Sequence, residues 1–432
     1  MLYSNLAVNE KGHLTLGGAD TVALAKKYGT PLYLMDEDRI RENMRLFRDE
    51  MKAHMPEGSL PLLACKACCF KGLFRIAEEE GLGADLVSAG EICTAQAAGF
   101  SMEKTCFHGN NKTDADIELA LDAGVGYFAV DNPEELEARE QAAARRGITQ
   151  KILLRITPGI DPHTHKKINT GILDSKFGEA LPPGQALTFF DLAAAKPHLS
   201  VEGMHSHIGS QIFSYQPLAD AAEIMLEFLS MLRESRGFEA KILNLGGGFG
   251  VRYTDRDPVM NYREELRRLG WEIDRLCDRF GLRRPAVILE PGRSIVGDAG
   301  VTLNTVGSVK TIPGVKNYVS VDGGMTDNPR YSLYGAEYTV LLANRADASA
   351  DFSASVVGRC CESGDFIQEN VPLPKPQRGD FLAVLTTGAY NYSMASNYNR
   401  LPRPPIVMVS GGKARLAVKR ESFADLVRND CE

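Results

Sequence analysis

Between residues 37 and 299, short apolar runs alternate with longer amphipathic stretches. Eight of the runs read as strands: 61–67, 84–88, 105–109, 126–131, 151–157, 200–206, 241–245 and 286–290. Each is too short for a helix and lies between polar or glycine-rich breaks. The segments between them carry helix start signals. Asn132-Pro133-Glu134-Glu135 supplies an N-cap, a proline at the first helical position and a glutamate at the third. Asp36 caps a helix running from Glu37 towards His54. Eight strand–helix units in about 250 residues predict a (β/α)8 barrel of the TIM type over residues 37–299.

After residue 300 the helical period thins, returning only at 421–428. Short β-rich runs at 317–321, 352–357, 381–385, 406–409 and 414–418, separated by Pro, Gly and Asp, predict a mostly antiparallel β-domain. The first 36 residues look strand-like as well, with a Gly17-Gly18 turn and an apolar run at 31–35. They are expected to join residues 300–432 in one discontinuous domain. The proline-rich stretch 370–379 reads as an exposed loop.

Composition supports two domains. The chain has 432 residues, 44% hydrophobic and 24% charged, enough for a sizeable core. A formal net charge of -7 argues against a nucleic-acid partner. No apolar run approaches a membrane span, and the N-terminus lacks the pattern of a signal peptide. Nine cysteines without framework spacing fit a reducing cytoplasm.

The polar residues of the barrel pattern sit at strand ends, where such barrels build active sites: Lys66, Ser88, His207, Gly246 to Gly248 and Glu290. Lys66 stands in the apolar run Leu62-Leu63-Ala64-Cys65-Lys66-Ala67-Cys68-Cys69. A buried ammonium is costly, and a lysine of lowered pKa is the amine that condenses with carbonyls. A snorkelling strand lysine has the same pattern. So does a Cys65/Cys68 redox or zinc pair, although no second Cys or His pair completes it. Glu290-Pro291-Gly292-Arg293 places a carboxylate where it can protonate a pyridine nitrogen. Gly246-Gly247-Gly248-Phe249-Gly250 can close round a phosphate, but lacks the dinucleotide spacing. His205 and His207, at period two, suit either a metal, with His163 or His165 as a third ligand, or a flat ring. Cys361 in Cys361-Glu362-Ser363-Gly364-Asp365 offers a proton-donating thiol or a structural cysteine. Arg330 and Tyr334 suit a carboxylate, and Tyr390 a phosphate or a substrate.

The ordered set of motifs resembles the diaminopimelate decarboxylase family. These are fold-type III, pyridoxal-phosphate-dependent amino-acid decarboxylases with an alanine racemase-like fold. The resemblance spans nearly the whole chain. It includes Gly109-Asn110-Asn111-Lys112, Ser175-Lys176-Phe177-Gly178, the segment from His207 to Gln211, the Gly246 to Gly250 run, the Glu290 to Arg293 turn, the Cys361 to Asp365 turn and residues 388–399. It implies pyridoxal 5'-phosphate as cofactor, meso-diaminopimelate as substrate, L-lysine as product, and a homodimer with active sites at its interface. No metal is implied. By resemblance, Lys66 holds the cofactor covalently, His207 stacks on its ring and Glu290 faces its nitrogen. Asp85, Ser210, Gly247, Gly248, Pro291, Gly292, Arg293 and Tyr390 complete the cofactor site. Arg293, Arg330, Tyr334, Glu362 and Tyr390 contact the substrate, and Cys361 is the proton donor.

Two departures stand out. The lysine motif reads Leu63-Ala64-Cys65-Lys66-Ala67-Cys68 where the family has Tyr-Ala-x-Lys-Ala-Asn, and Arg359 replaces a proline ahead of Cys361. Neither removes a reacting group. Related decarboxylases of carboxynorspermidine, arginine or ornithine are the nearest alternative, and a non-catalytic cofactor-holding or regulatory protein is the alternative of another class. The stretch from His163 to Phe177 reads as a lid.

Overall fold

The structure, a computed structural model, describes residues 1–160, 175–181 and 184–431. The expected lid therefore falls mostly outside the described residues, as do His163 and His165. The chain forms two compact units. One comprises Asn43–Gly250 and Val259–Gly292; the other comprises Met1–Glu42, Val251–Pro258 and Arg293–Glu432. These limits differ from 37–299: residues 37–42, the short segment 251–258 and everything from Arg293 belong with the β-rich unit.

In the first unit, eight parallel strands of the described residues close a ring. They are Leu60–Ala64, Gly83–Leu86, Thr105–Phe107, Tyr127–Val130, Gln150–Thr157, Leu199–His205, Ile242–Asn244 and Ala286–Leu289. Closure comes from Ile288 and Leu289 pairing with Leu60 and Pro61. Alternate side chains point inward, so Leu62, Cys106, Ala129, Leu153, Ile242 and Ile288 form one buried cluster. Burying each large aliphatic side chain there stabilises the ring by about 1.5–3 kcal/mol. The crossover helices obey their caps. Pro133–Arg146 starts at Asn132, whose Oδ1 accepts the Glu135 N–H at 2.8 Å, and stops at left-handed Gly147. Ala89–Ala98 starts at Ser88, whose Oγ accepts the Glu91 N–H at 3.2 Å.

Beyond the third strand, a buried ionic cluster fixes the loop that carries Gly109 to Lys112. Lys112 Nζ donates to the carbonyls of Gly109 (2.7 Å) and Ala129 (2.8 Å) and to Glu135 Oε1 (2.9 Å). Arg139 Nε donates to the same carboxylate at 2.6 Å, and its guanidinium lies 3.8 Å from the Phe128 ring centre. This cluster gives the Gly109-Asn110-Asn111-Lys112 motif a structural role at the mouth of the barrel.

The second unit holds a small three-stranded sheet, Leu6–Val8, Leu14–Leu16 and Ala19–Asp20, and a larger sheet in the order Phe366–Leu373, Phe352–Val357, Lys316–Val321, Gly300–Ile312, Leu32–Asp36, Ile406–Ser410, Lys413–Val418. Phe381–Leu385 also pairs with Gly300–Ile312 and carries Val340–Leu342 on its other edge. Most pairings are antiparallel. Lys316–Val321 with Phe352–Val357 and Leu32–Asp36 with Ile406–Ser410 are parallel. Leu32–Asp36 thus joins the larger sheet. Asp36 caps the next helix as expected, accepting the Arg39 N–H at 3.2 Å.

Several elements differ from the expectation. The first barrel strand ends at Ala64, and Lys66 lies in a single 3-10 turn, Cys65–Ala67, because the buried run continues past the last ladder hydrogen bond. The N-terminal segment contains a helix, Thr21–Tyr28, capped by Asp20. Gly300–Ile312 forms a 13-residue strand that the sequence pattern did not mark, and Phe366–Leu373 runs into the stretch expected as loop.

Candidate active site

Lys66 leaves the barrel wall on the 3-10 turn, and its Nζ meets Asp85 Oδ2 at 3.1 Å. Asp85 is the last residue of the second strand to pair with the first and is fully buried. Its Oδ1 accepts no hydrogen bond from the described residues. Glu91 stands in the same electrostatic field. Burial pushes its carboxyl up to about 7, Asp85 adds to the rise and Lys66 opposes it. Its Oε2 accepts the Val87 N–H at 2.8 Å.

Glu290 is 3% exposed and follows the last barrel strand. All its contacts fall on Oε1. Asn244 Nδ2 donates to it at 2.7 Å, His108 Nε2 stands at 2.9 Å and His205 Nε2 at 3.6 Å. Asn244 cannot turn over, because its Oδ1 accepts the Gly246 N–H at 2.9 Å. Oε2 has no protein partner among the described residues. Although burial disfavours the charge, His108 and His205 hold the carboxyl well below its usual range. Burial alone would lower His108, but Cys106, Glu290 and Asp85 drive it well above the ordinary histidine value. Burial lowers His205 to about 3, so that ring is neutral.

His108, His205 and Glu290 bring three ligand atoms within 4.8 Å. The arrangement is metal-like in spacing. However, the Asn244 N–H already points at the oxygen an ion would take. The expected His205/His207 face does not form, since the strand ends at His205. His207 instead accepts the Gly247 N–H on Nδ1 at 3.2 Å, which leaves the proton of the neutral ring on Nε2. Burial and the charge of Lys66 pull its pKa well down. The glycine run is required by close approach. A Cβ on Gly247 would collide with the Glu290 carbonyl, and one on Gly248, at φ 107°, would come within 2.5 Å of the Gly209 carbonyl.

In the β-rich unit, two arginines stand in a frame of tyrosines. Arg330 is 6% exposed; it donates to Tyr338 Oη at 2.9 Å and lies 4.5 Å from the Tyr253 ring centre. No carboxylate of the described residues pairs with it. Arg293 donates to Tyr253 Oη at 2.6 Å and lies 4.6 Å from the Tyr390 ring centre. Tyr390 holds a left-handed backbone, φ 59°. Tyr334 is half-buried, and Cys361 and Glu362 are exposed. Asp365 is buried under the Cys361 turn. Its Oδ2 accepts the Cys360 N–H at 2.8 Å and its Oδ1 accepts the Met325 N–H at 2.6 Å. The Cys361 N–H donates to Asn399 Oδ1 at 2.6 Å.

The pyridoxal binding domain of the pyridoxal-dependent decarboxylases matches residues 37–297. The chain belongs to that family. It is 49% identical to a diaminopimelate decarboxylase of Halalkalibacterium halodurans over 428 residues, covering 98% of this chain and 96% of the relative. A diaminopimelate decarboxylase of Bacillus subtilis is 45% identical, covering 99% and 98%. Among solved structures, the diaminopimelate decarboxylase from M. jannaschii in co-complex with L-lysine superposes with a TM-score of 0.91 at 32% identity, covering 99% of this chain and 98% of that one.

Within this pyridoxal-dependent decarboxylase, the barrel unit suits the family's cofactor. It offers an amine beside a buried carboxylate, a second carboxylate with one oxygen that no described residue bonds, and a flat imidazole held edge-on by the Gly247 amide. Of the residues expected at the site, Lys66, Asp85, His207, Gly247, Gly248 and Glu290 all lie in this unit; Arg293, Arg330, Tyr334, Cys361, Glu362 and Tyr390 all lie in the other. The sequence reading missed His108, Asn244, Glu91, Tyr253 and Tyr338. For His108 and Asn244 the signal was present: each is a polar residue at the end of an apolar strand run.

Proposed function

We propose that this chain decarboxylates meso-2,6-diaminopimelate to L-lysine and CO2 with pyridoxal 5'-phosphate, the last step of lysine biosynthesis. The observation that carries the substrate choice is Arg330, a buried guanidinium framed by Tyr253 and Tyr338 with no carboxylate of the described residues beside it. Such a cation favours a ligand that brings its own carboxylate, and disfavours a ligand whose far end is an amine alone. Similarity to diaminopimelate decarboxylases over nearly the full length of the chain supports the same reading.

The cofactor, when bound, supplies an electron sink for the pair left at the α-carbon as CO2 departs. Lys66 is its attachment point, and Asp85 keeps the amine oriented. Glu290 would hold a proton at the ring nitrogen, its Oε1 being taken up by Asn244 and His108. His207, neutral and half-buried, stacks on the ring face. Ser210, Gly247, Gly248, the turn of Pro291, Gly292 and Arg293, and Tyr390 take the phosphate side. Arg330 and Tyr334, with Arg293 and Tyr390, grip the distal carboxylate, and Glu362 receives the distal ammonium. Cys361 would return a proton to the α-carbon, and in a homodimer it would serve the partner's cofactor. Nine free cysteines support a reducing cytoplasm as the setting. Among the described residues, no helix is long and apolar enough to cross a membrane.

The test is CO2 release from meso-diaminopimelate, L-ornithine and L-lysine, with and without added cofactor. Release is expected from the first substrate at least about 100-fold faster in kcat/KM than from the others. Arg330→Met should lower kcat/KM for meso-diaminopimelate by about 30-fold or more, while Lys66→Ala should abolish the visible absorbance of the cofactor. A solved lysine/ornithine decarboxylase of Vibrio vulnificus shares the fold, with a TM-score of 0.75 at 25% identity. Turnover of ornithine equal to that of meso-diaminopimelate would assign this chain to that kind of activity instead.

A further inference from the structure

Lys66 and Glu290, the two groups that face opposite ends of the cofactor ring in the reading above, are joined through one imidazole. His108 Nε2 lies 2.9 Å from Glu290 Oε1 and 3.7 Å from Asp85 Oδ1, and the other oxygen of Asp85 receives Lys66 Nζ at 3.1 Å. His108 is 4% exposed and packs edge-on against His205, with ring centres 4.7 Å apart. Asn244 saturates the same Glu290 oxygen from the next strand end.

We propose that His108 is a positioning residue: its imidazolium, in ion-pair contact with Oε1 beside the Asn244 donor, reserves Oε2 of Glu290 for the ring nitrogen and sets the field that Asp85 presents to Lys66. This inference rests on the cofactor reading and names a residue that the reading did not need. The groups facing His108 are Cys106 on its own strand, Asp85 from the second strand, His205 from the sixth, and Glu290 from the end of the eighth; Arg155 adds its charge to the two carboxylates. Of the two imidazoles, His205 is the neutral one, so His108 is the cation shared by Asp85 and Glu290. An apolar residue at this position leaves two buried carboxylates without that shared cation and frees Glu290 to rotate about the Asn244 hydrogen bond.

The experiment compares wild type, His108→Gln and His108→Leu as full-length proteins. Gln keeps an N–H near the Nε2 position; Leu fills space without one. The first readout is the dissociation constant of pyridoxal 5'-phosphate, titrated into stripped protein. The second is the pH midpoint of the visible absorbance of the loaded protein. We expect His108→Leu to weaken the cofactor at least tenfold and His108→Gln to stay within about threefold of wild type, while both, having lost the charge, move the midpoint by at least half a unit. Should the Leu variant not fold by circular dichroism, His108→Asn, whose amide stops short of Glu290, replaces it with the same expectation. Equal loss in the Gln and the Leu or Asn variants, or an unmoved midpoint in both, overturns the proposal. Failure of wild type itself to bind the cofactor would instead overturn the underlying reading.

Discussion

Glu135 shows how much one buried side chain can organise. Its carboxylate takes Lys112 Nζ, Arg139 Nε and the Asp131 N–H, all inside the barrel unit. Burial would raise its pKa, but Arg139 and Lys112 more than reverse that and lower it. Replacing it by Leu strands two buried cations, and only Lys112, already pushed down to about 8, can readily shed its charge. Glu135→Leu is therefore expected to cost about 3–5 kcal/mol in urea unfolding, and Lys112→Met clearly less, because Glu135 retains Arg139. Equal costs would show that the shared carboxylate is not the centre of the cluster. At this scale the sequence was partly legible. Lys66, His207 and Glu290 were visible because each interrupts an apolar or glycine-rich pattern. His108 and Asn244 were not singled out, since a lone polar residue at a strand end has many uses. Only the folded ring shows that they converge on one oxygen.

Among elements, capping connects local structure to the site. Asn132 both starts Pro133–Arg146 and donates from Nδ2 to the Asn110 carbonyl at 3.2 Å, so one side chain fixes a helix and the loop beside it. Asn132→Ala should destabilise the protein by about 1 kcal/mol, a fall of roughly 2–4 °C in Tm. Asn132→Ser keeps an oxygen for the cap and loses only the loop contact, so most of that Tm should return. All eight barrel strands were legible from short apolar runs, because strands buried on both faces need no alternation. Thr21–Tyr28 was not. Its Thr-Val start reads as strand, and only the two hydrogen bonds that Asp20 Oδ1 accepts from Val22 and Ala23 reveal the helix. Gly300–Ile312 was hidden by its glycines. Gly307 sits where the register with Lys316–Val321 shifts, a bulge that bends the strand without ending it.

For the molecule as a whole, two buried acids tilt the pH response. Burial raises Glu91 in the barrel unit and Asp327 in the β-rich unit to about 7 each. Both folded values lie above the unfolded ones, so the folded state binds more protons between pH 4 and 7. That contribution to stability is complete below pH 4 and is lost as pH rises through 7. Glu37, Glu135 and Glu421 are lowered on folding, so their contribution disappears at the acid end instead. Tm should therefore be higher at pH 6 than at pH 8.5. Asp327→Asn, which can keep partners at Thr326 and Gly324, should shrink that difference. An unchanged slope in the variant would place the effect elsewhere. The two-part plan was readable from the change in texture near residue 300, but the membership of 251–258 was not, because eight residues carry no periodicity of their own.

One carboxylate, that of Asp365, ties the turn bearing the candidate proton donor to the segment leading to Arg330. Under the proposed function, substrate grip and protonation would then be coupled through this one buried side chain. A lineage drifting towards a shorter or uncharged amino acid would have to re-seat both loops in the same evolutionary step.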